Sequence, residues 1–195
     1  MALPSVGQAQ LLSAALQRTV TQFRPRSLAV FGVVGGNGLE LVEGGIVHRV
    51  VALDFNPDYL ALCVQRHAAS FAEFEAVLHD LSQGPPVIRP VECIFAGLVL
   101  EYLCVKSFCG YLASLLTPGG RFAALLQLPS ATLPEVSPSP FTSLARLEPA
   151  LSFVPPASLY DSLSAHGFSR IAEDRYDLDS GKSFYYVSYQ LTKAA

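Results

Sequence analysis

The sequence contains no run of basic residues, since Lys and Arg never stand side by side in its 195 positions. Charged residues make up only 15% of the chain, and its formal net charge is −3. A protein that binds along a nucleic-acid backbone needs a basic stripe to neutralise the phosphates. The missing stripe argues against a nucleic acid as substrate or partner.

Long apolar runs are missing as well, although 51% of the residues are hydrophobic. No stretch reaches the ~18 residues of a transmembrane helix, and the N-terminus lacks the basic segment and apolar stretch of a signal peptide. We therefore expect a cytoplasmic protein that does not enter a membrane. Its length suits one domain of roughly 100–200 residues with a sizeable core.

The cysteines lack the spacing of a metal site or a redox motif. No CxxC pair occurs, and no histidine cluster lies near Cys63, Cys93, Cys104 or Cys109. The sequence therefore indicates no metal site. We interpret the thiols as small buried apolar residues of a protein in a reducing compartment.

The most informative segment that is present runs from Ser27 to Asp54. An apolar run at 28–31 leads into a glycine-rich turn at 32–38, and a second apolar run at 50–53 ends on Asp54. Glycines allow positive φ and close approach of the backbone to a ligand. A carboxylate at the tip of the second strand can accept hydrogen bonds from ribose hydroxyls. This order predicts half of a nucleotide-binding α/β unit.

Predicted strands and helices alternate along the rest of the chain. Apolar positions with a helical period predict a helix over 8–23, and Asn56 followed by Pro57 marks the start of a helix through His67. Further helices are predicted near 39–43, over 101–116 and over 155–166. The predicted strands are 28–31, 49–53, 74–78, 91–98 and 121–128, followed by a hairpin of 168–178 and 182–191.

This order of elements predicts an α/β fold. We expect a Rossmann-like, seven-stranded, mostly parallel sheet with helices on both faces and an antiparallel C-terminal hairpin. The stretch Pro129–Pro140 is rich in Pro and Ser and is predicted to be an irregular, exposed loop. No internal repeat or second core is present, so one domain is expected over 1–195.

Five motifs follow one another in a characteristic order. They are GVVGGNG at Gly32–Gly38, Asp54, Asp80, FAGLVLEYL at Phe95–Leu103 and LTPGGRF at Leu116–Phe122. Together with the terminal hairpin, they resemble the class I S-adenosylmethionine-dependent methyltransferases over nearly the whole chain. The resemblance implies a helical cap over 1–26, a cofactor-binding core over 27–128, and a substrate-side loop, helix and hairpin over 129–195.

The resemblance also implies which residues bind the cofactor. Backbone groups of the turn would hold its methionine part, from Gly32, Val33, Val34, Gly35, Gly36, Asn37 and Gly38. The family's G-x-G-x-G pattern places Val34 at a glycine position, which is a departure, unless the pattern is shifted by one residue. Gly97 and Leu98 would border the reactive methyl group.

The nucleoside half of the cofactor would be held by residues after the second and third strands. Asp54 would accept hydrogen bonds from the ribose, or it could instead cap the next helix, and Phe55 would cover the adenine. Asp80 would receive the adenine amino group, with the backbone amide of Leu81 on the ring. Asp80 could also be a solvated loop carboxylate.

The acceptor of the methyl group is less well indicated. Glu101 and Tyr102 are candidates for contact with substrate, although an acid at a helix start and a core aromatic fit equally well. His79 is interpreted as an ordinary polar residue near the surface. The Asn/Asp-Pro-Pro-aromatic motif of amino-methylating enzymes is absent at 96–99, and the apolar N-terminal helix and the loop 129–149 favour a small, partly hydrophobic acceptor.

Two other functions remain open at the level of sequence. Gly32, Gly35 and Gly38 with Asp54 loosely match the fingerprint of an NAD(P)-dependent oxidoreductase. A protein that binds S-adenosylmethionine without transferring its methyl group also fits. The aromatic last strand, with Phe184, Tyr185, Tyr186 and Tyr189, belongs either to the core or to the surface of a homodimer.

Overall fold

Strands that are apolar at every position need cover on both faces, and the structure provides it. In the computed structural model, which describes residues 7–130 and 151–192, seven strands form one sheet in the order β3-β2-β1-β4-β5-β7-β6. Their bounds are β1 Ser27–Phe31, β2 Arg49–Asp54, β3 Glu73–Leu78, β4 Val91–Gly97, β5 Leu116–Gln127, β6 Phe168–Asp177 and β7 Ser183–Leu191. Strands β1 to β5 are parallel, and β7 is antiparallel to both of its neighbours.

Helices cover both faces of this sheet. They are α1 Gln8–Phe23, α2 Pro57–His67, α3 Val105–Leu112 and α4 Pro156–Ala165. Alternate residues of β1 point to opposite faces: Leu28 and Val30 pack with α1 and α2, whereas Ala29 and Phe31 pack with α3 and α4. The predicted fold class, with its antiparallel C-terminal hairpin, is confirmed.

Two predicted helices are shorter in the structure. The segment near 39–43 forms only a 3-10 turn, Leu39–Leu41. In place of one helix over 101–116, a 3-10 turn at Leu100–Tyr102 is separated from α3 by Leu103 and Cys104, whose backbones are extended. These two residues interrupt the ladder of helical hydrogen bonds, so the helix begins four residues later than predicted.

The motif LTPGG does not precede the fifth strand but lies inside it. On β4, Val91 pairs with Leu116 and Cys93 pairs with Arg121, so the extra residues of β5 form a bulge between the two pairs. A bulge bends and twists a strand locally. Gly119 adopts a φ of +74° within this bulge.

The burial of two groups of residues answers questions left by the sequence. Phe184, Tyr186 and Tyr189 are at most 1% exposed, so the last strand belongs to the core. Of the thiols, Cys63, Cys93 and Cys109 are buried as expected, but Cys104 is exposed. Cys104 is the N-cap residue of α3 and precedes the buried residues of that helix, which begin at Phe108.

The predicted loop 129–140 lies almost entirely outside the described residues. Within 7–130 and 151–192, no helix combines the length and apolar character that a membrane crossing requires.

Candidate functional site

The strand order reverses at β1, which has β2 on one side and β4 on the other. In open α/β sheets, ligands bind at such a switch point, outside the carboxyl ends of the strands. The tip of β1, Phe31, aligns with Leu53 of β2 and Ala96 of β4. The residues that follow these three tips therefore meet at one edge of the sheet.

A cleft of about 300 Å³ lies at this edge, and we call it the larger cleft. It brings together residues that are far apart in sequence. Many of the site residues predicted from the sequence line this cleft: Gly32, Val34, Asp54, Phe55, Asp80, Leu81, Gly97, Leu98 and Tyr102.

A second cleft of about 130 Å³, the smaller cleft, lies between the glycine-rich turn and the start of α1. Val33 and Asn37 of the turn line it, together with Gln8, Ala9 and Leu12 of α1. It shares Gly32, Val34, Gly97, Leu98 and Tyr102 with the larger cleft. The two clefts are thus neighbouring parts of one site.

Steric constraints explain two glycines of the turn. Gly32 has a φ of +72°, and a Cβ there would lie 2.4 Å from Cγ2 of Val99. A Cβ on Gly36, which has a φ of +85°, would lie 2.5 Å from Cδ2 of His67. Both positions therefore exclude a side chain by conformation and by contact.

Three glycines of the turn, Gly35, Gly36 and Gly38, lie against helices and line neither cleft. Gly35 and Gly36 pack on Leu62, Cys63 and His67 of α2, and Gly38 packs on Ser13 and Leu16 of α1. Their positive φ values curve the chain from β1 toward the 3-10 turn. In this structure, Gly35, Gly36 and Gly38 shape the turn without facing either cleft.

The backbone of Val34 lies in the left-handed region, which glycine adopts more readily than other residues. Its φ is +42°, which is a strained value for a β-branched residue. Its N–H donates a hydrogen bond to Oδ2 of Asp54 at 3.1 Å. If Val34 occupies a glycine position of the G-x-G-x-G pattern, as the unshifted alignment predicts, its positive φ is the conformation that glycine favours.

Asp54 ends β2 and is only 3% exposed. Its Oδ1 accepts the N–H of Asn56 at 2.9 Å, and its Oδ2 accepts the N–H of Val34. Burial raises the pKa of Asp54, and the two backbone hydrogen bonds oppose this rise. The cap of α2 is Asn56, whose side chain accepts the N–H of Asp58, so Asp54 is not the capping acid.

Phe55 and Asp80 flank the outer part of the larger cleft. The Phe55 side chain is 60% exposed, which is unusual for an aromatic ring and leaves its face accessible. Asp80 is exposed, and hydrogen bonds from Ser82 lower its pKa, so the group is a carboxylate at neutral pH. The buried Leu81 follows and begins a 3-10 turn.

The two residues predicted to contact the substrate, Glu101 and Tyr102, lie in different surroundings. Tyr102 is half-buried and lines both clefts, and burial raises the pKa of its hydroxyl. Glu101 is 2% exposed and lines neither cleft; its Oε1 accepts the N–H of Gln127 at 2.7 Å. Burial raises the pKa of Glu101 to about 7. Among the described residues, nothing forms a hydrogen bond with its Oε2.

Solved structures of methyltransferases have the same fold as this chain over nearly its whole length. The N-methyltransferase NodS from Bradyrhizobium japonicum, crystallised with S-adenosylhomocysteine, is 12% identical, with a TM-score of 0.68 over 94% of this chain and 87% of NodS. The magnesium protoporphyrin IX methyltransferase ChlM from Synechocystis, with the same bound product, is 14% identical, with a TM-score of 0.70 over 95% and 84%. The chain has the class I methyltransferase fold.

The class I methyltransferase fold alone does not determine a reaction. The cyclase SpnF is 12% identical to this chain, with a TM-score of 0.69 over 93% of the chain and 80% of SpnF. Neither a scan against protein-family models nor a search of curated proteins finds a match to the sequence. The residues of the site, and not the fold, therefore distinguish one reaction from another.

Several lining residues were not predicted from the sequence. Tyr59, Ser82 and Leu103 also line the larger cleft, as does His79, which was expected to be an ordinary polar residue near the surface. His79 directly follows β3, and the rule that ligands bind beyond strand ends could have identified it. No local signal points to Gln8, Ala9 or Leu12 of α1. Among residues 7–130 and 151–192, no His, Cys, Asp and Glu cluster is arranged to hold a metal ion.

Proposed function

We propose that this chain binds S-adenosylmethionine with its nucleoside in the larger cleft and transfers its methyl group to a small, partly apolar acceptor. The observation that carries the proposal is the convergence of Asp54, Phe55 and Asp80 in the larger cleft, at the switch point of the sheet. These side chains suit a ribose, an adenine face and an adenine amino group, respectively. The bound S-adenosylhomocysteine of NodS and ChlM supports the same choice of ligand.

The residues present fit the nucleoside half of this cofactor. Each oxygen of Asp54 accepts one backbone N–H, and a carboxylate oxygen has a second lone pair for a ribose hydroxyl. Asp80 is ionised and exposed, so it can accept a hydrogen bond from an amino group. Gly32 has no side chain, so the backbone can approach a ligand closely.

The chain's contribution to transfer is to hold and align the reactants. When bound, the sulfonium of the cofactor supplies an already activated methyl group. Leu98 and Tyr102 border both clefts, and Leu12 lines the smaller one, so an acceptor there meets mostly apolar surface. Because burial raises its pKa, Tyr102 keeps its proton at neutral pH and can donate a hydrogen bond to an acceptor. Alignment alone accounts for a large part of such a reaction's rate.

The division of the chain into parts is also a proposal. The position of α1 over the smaller cleft supports a capping role for residues 1–26. The larger cleft is built from residues of the segment 27–128, which supports its role as the cofactor-binding core. Residues 129–195 would then supply the acceptor side.

Calorimetry separates the proposal from its alternatives. We expect S-adenosylhomocysteine to bind and NAD not to bind. Binding of NAD without S-adenosylhomocysteine would establish an oxidoreductase-like site and overturn the proposal. Incubation with methyl-labelled S-adenosylmethionine and a panel of small acceptors then tests for transfer; labelled product establishes the enzyme.

A further inference from the structure

The junction between the two clefts is lined by larger residues as well as by glycines. Of the residues common to both clefts, Gly32 and Gly97 have no side chain, whereas Val34, Leu98 and Tyr102 do. A ligand that spans both clefts must pass these three residues. The junction therefore controls how far a ligand extends from the larger cleft.

Two of these side chains stand on backbone that favours glycine. Val34 has a φ of +42° and Leu98 a φ of +57°. Each is fixed by a backbone hydrogen bond, from the N–H of Val34 to Asp54 and from the N–H of Leu98 to the carbonyl of Leu125 at 2.9 Å. These anchors hold the residues at the junction in spite of the strain.

The smaller cleft is narrow and has few polar side chains. Leu12 of α1 packs over Gly97, where a Cβ would lie 2.5 Å from the Leu12 Cδ2 atom. Among the described residues that line the smaller cleft, the polar side chains are Gln8, Asn37 and Tyr102, and no side chain is charged. A ligand that stops at the junction cannot reach the hydrogen-bonding groups of Gln8 and Asn37 in the smaller cleft.

We propose that Val34 is a specificity-determining residue. It limits how much the substituent on the 5′ carbon of a bound nucleoside, here called the tail, adds to the binding affinity. The inference rests on the proposed function, because it assumes that the nucleoside occupies the larger cleft. Affinity then comes mainly from the ribose and the adenine. The amino-acid end of a thioether nucleoside adds little to it.

The test compares three nucleosides that share adenosine and differ in the tail: adenosine, 5′-methylthioadenosine and S-adenosylhomocysteine. For the unmodified protein, we expect the dissociation constants of the two thioethers to agree within about threefold. In Val34→Gly, the affinity for S-adenosylhomocysteine should rise about tenfold relative to 5′-methylthioadenosine, because the tail can reach the smaller cleft. Val34→Ala removes most of the bulk and should give an intermediate ratio.

Arg24→Gly is the matched control. Arg24 also has a positive φ, of +45°, but it lies at the end of α1 and lines neither cleft. Relief of strain at Arg24 should leave the ratio of the two thioether affinities unchanged.

The outcomes separate this inference from the proposed function. If the unmodified protein binds S-adenosylhomocysteine about tenfold or more tightly than 5′-methylthioadenosine, Val34 does not limit the tail, although the cofactor assignment stands. An unchanged ratio in both Val34 variants overturns the inference in the same way. If none of the three nucleosides binds, the proposed function fails and the inference fails with it.

Discussion

The backbone N–H of Val34 donates a hydrogen bond to Oδ2 of Asp54 and thereby ties the glycine-rich turn to the tip of β2. The two residues are 20 positions apart in the sequence. Asp54 also accepts the N–H of Asn56, which caps α2. One carboxylate therefore fixes two loops of the proposed nucleoside site before any ligand binds.

Replacement of Asp54 should weaken both the ligand site and the fold. In Asp54→Ala, the N–H groups of Val34 and Asn56 lose their acceptor, so we expect a loss of about 1–3 kcal/mol in the free energy of unfolding. The affinity for S-adenosylhomocysteine should fall by a further ~1–3 kcal/mol, because the charged hydrogen bond to ribose is lost. Urea denaturation and calorimetry measure the two effects.

Asp58→Ala is the control for Asp54→Ala. Asp58 is an exposed carboxylate in the first turn of α2 and does not line the larger cleft. Its replacement should leave ligand affinity unchanged. Equal affinity of Asp54→Ala and the unmodified protein, with the mutant folded, would refute the ribose assignment.

Replacement of Phe55 should lower ligand affinity with little effect on the free energy of unfolding. Because its side chain is 60% exposed, Phe55→Ala should change the free energy of unfolding by no more than about 0.5 kcal/mol. The affinity for adenosine should fall by about 0.5–1.5 kcal/mol, since the ring no longer stacks on the adenine. Leu78 is also 60% exposed but does not line the larger cleft, so Leu78→Ala should leave adenosine binding unchanged. If the two variants bind adenosine equally well, Phe55 is not the adenine contact.

Glu101 should make stability depend on pH. Burial raises its pKa to about 7 from an ordinary 4.5, so the folded protein holds a proton that the unfolded chain has released in that interval. The free energy of unfolding is therefore greatest at pH values below the ordinary pKa of Glu101. It falls by on the order of 3 kcal/mol as the pH rises toward 7. Glu101→Gln cannot ionise, so its stability should fall less over the same interval.

The measurement for Glu101 is urea denaturation at pH 5 and pH 8. Glu43 is exposed, and Glu43→Gln controls for the loss of one carboxylate elsewhere. A pH dependence of stability that is identical in Glu101→Gln and the unmodified protein would contradict the buried, protonated acid.

Glycine at position 34 should stabilise the fold. A side chain in the left-handed region costs ~1–2 kcal/mol, and the greater freedom of glycine in the unfolded chain returns ~0.5–1 kcal/mol of that. We expect Val34→Gly to raise the free energy of unfolding by about 0.5–1 kcal/mol, measured by urea denaturation. Arg24→Gly should have a similar effect, since glycine suits the end of a helix. Destabilisation by Val34→Gly alone would show that packing of the valine side chain outweighs its backbone strain.

Local patterns in the sequence predicted much of the fold. The helix over 8–23 has the predicted bounds, and the cap at Asn56 is confirmed, because each depends on residues close in the chain. The failures have a different cause. The LTPGG motif becomes a bulge in β5 because its pairing with β4 determines the backbone there. The helix over 101–116 begins late, and the turn before it is held to β5 by the hydrogen bond from the N–H of Gln127 to Glu101.

By itself, the sequence determined the order of the strands, the glycine-rich turn after β1 and the carboxylate at the tip of β2. Apolar runs, caps and turns are encoded over a few residues, so they can be recognised without a structure. The tertiary structure alone decided that Leu12 covers Gly97, that Glu101 is buried away from both clefts, and that Val34 and Leu98 meet at one junction. Such contacts join distant segments, and their geometry follows from how the helices pack on the sheet.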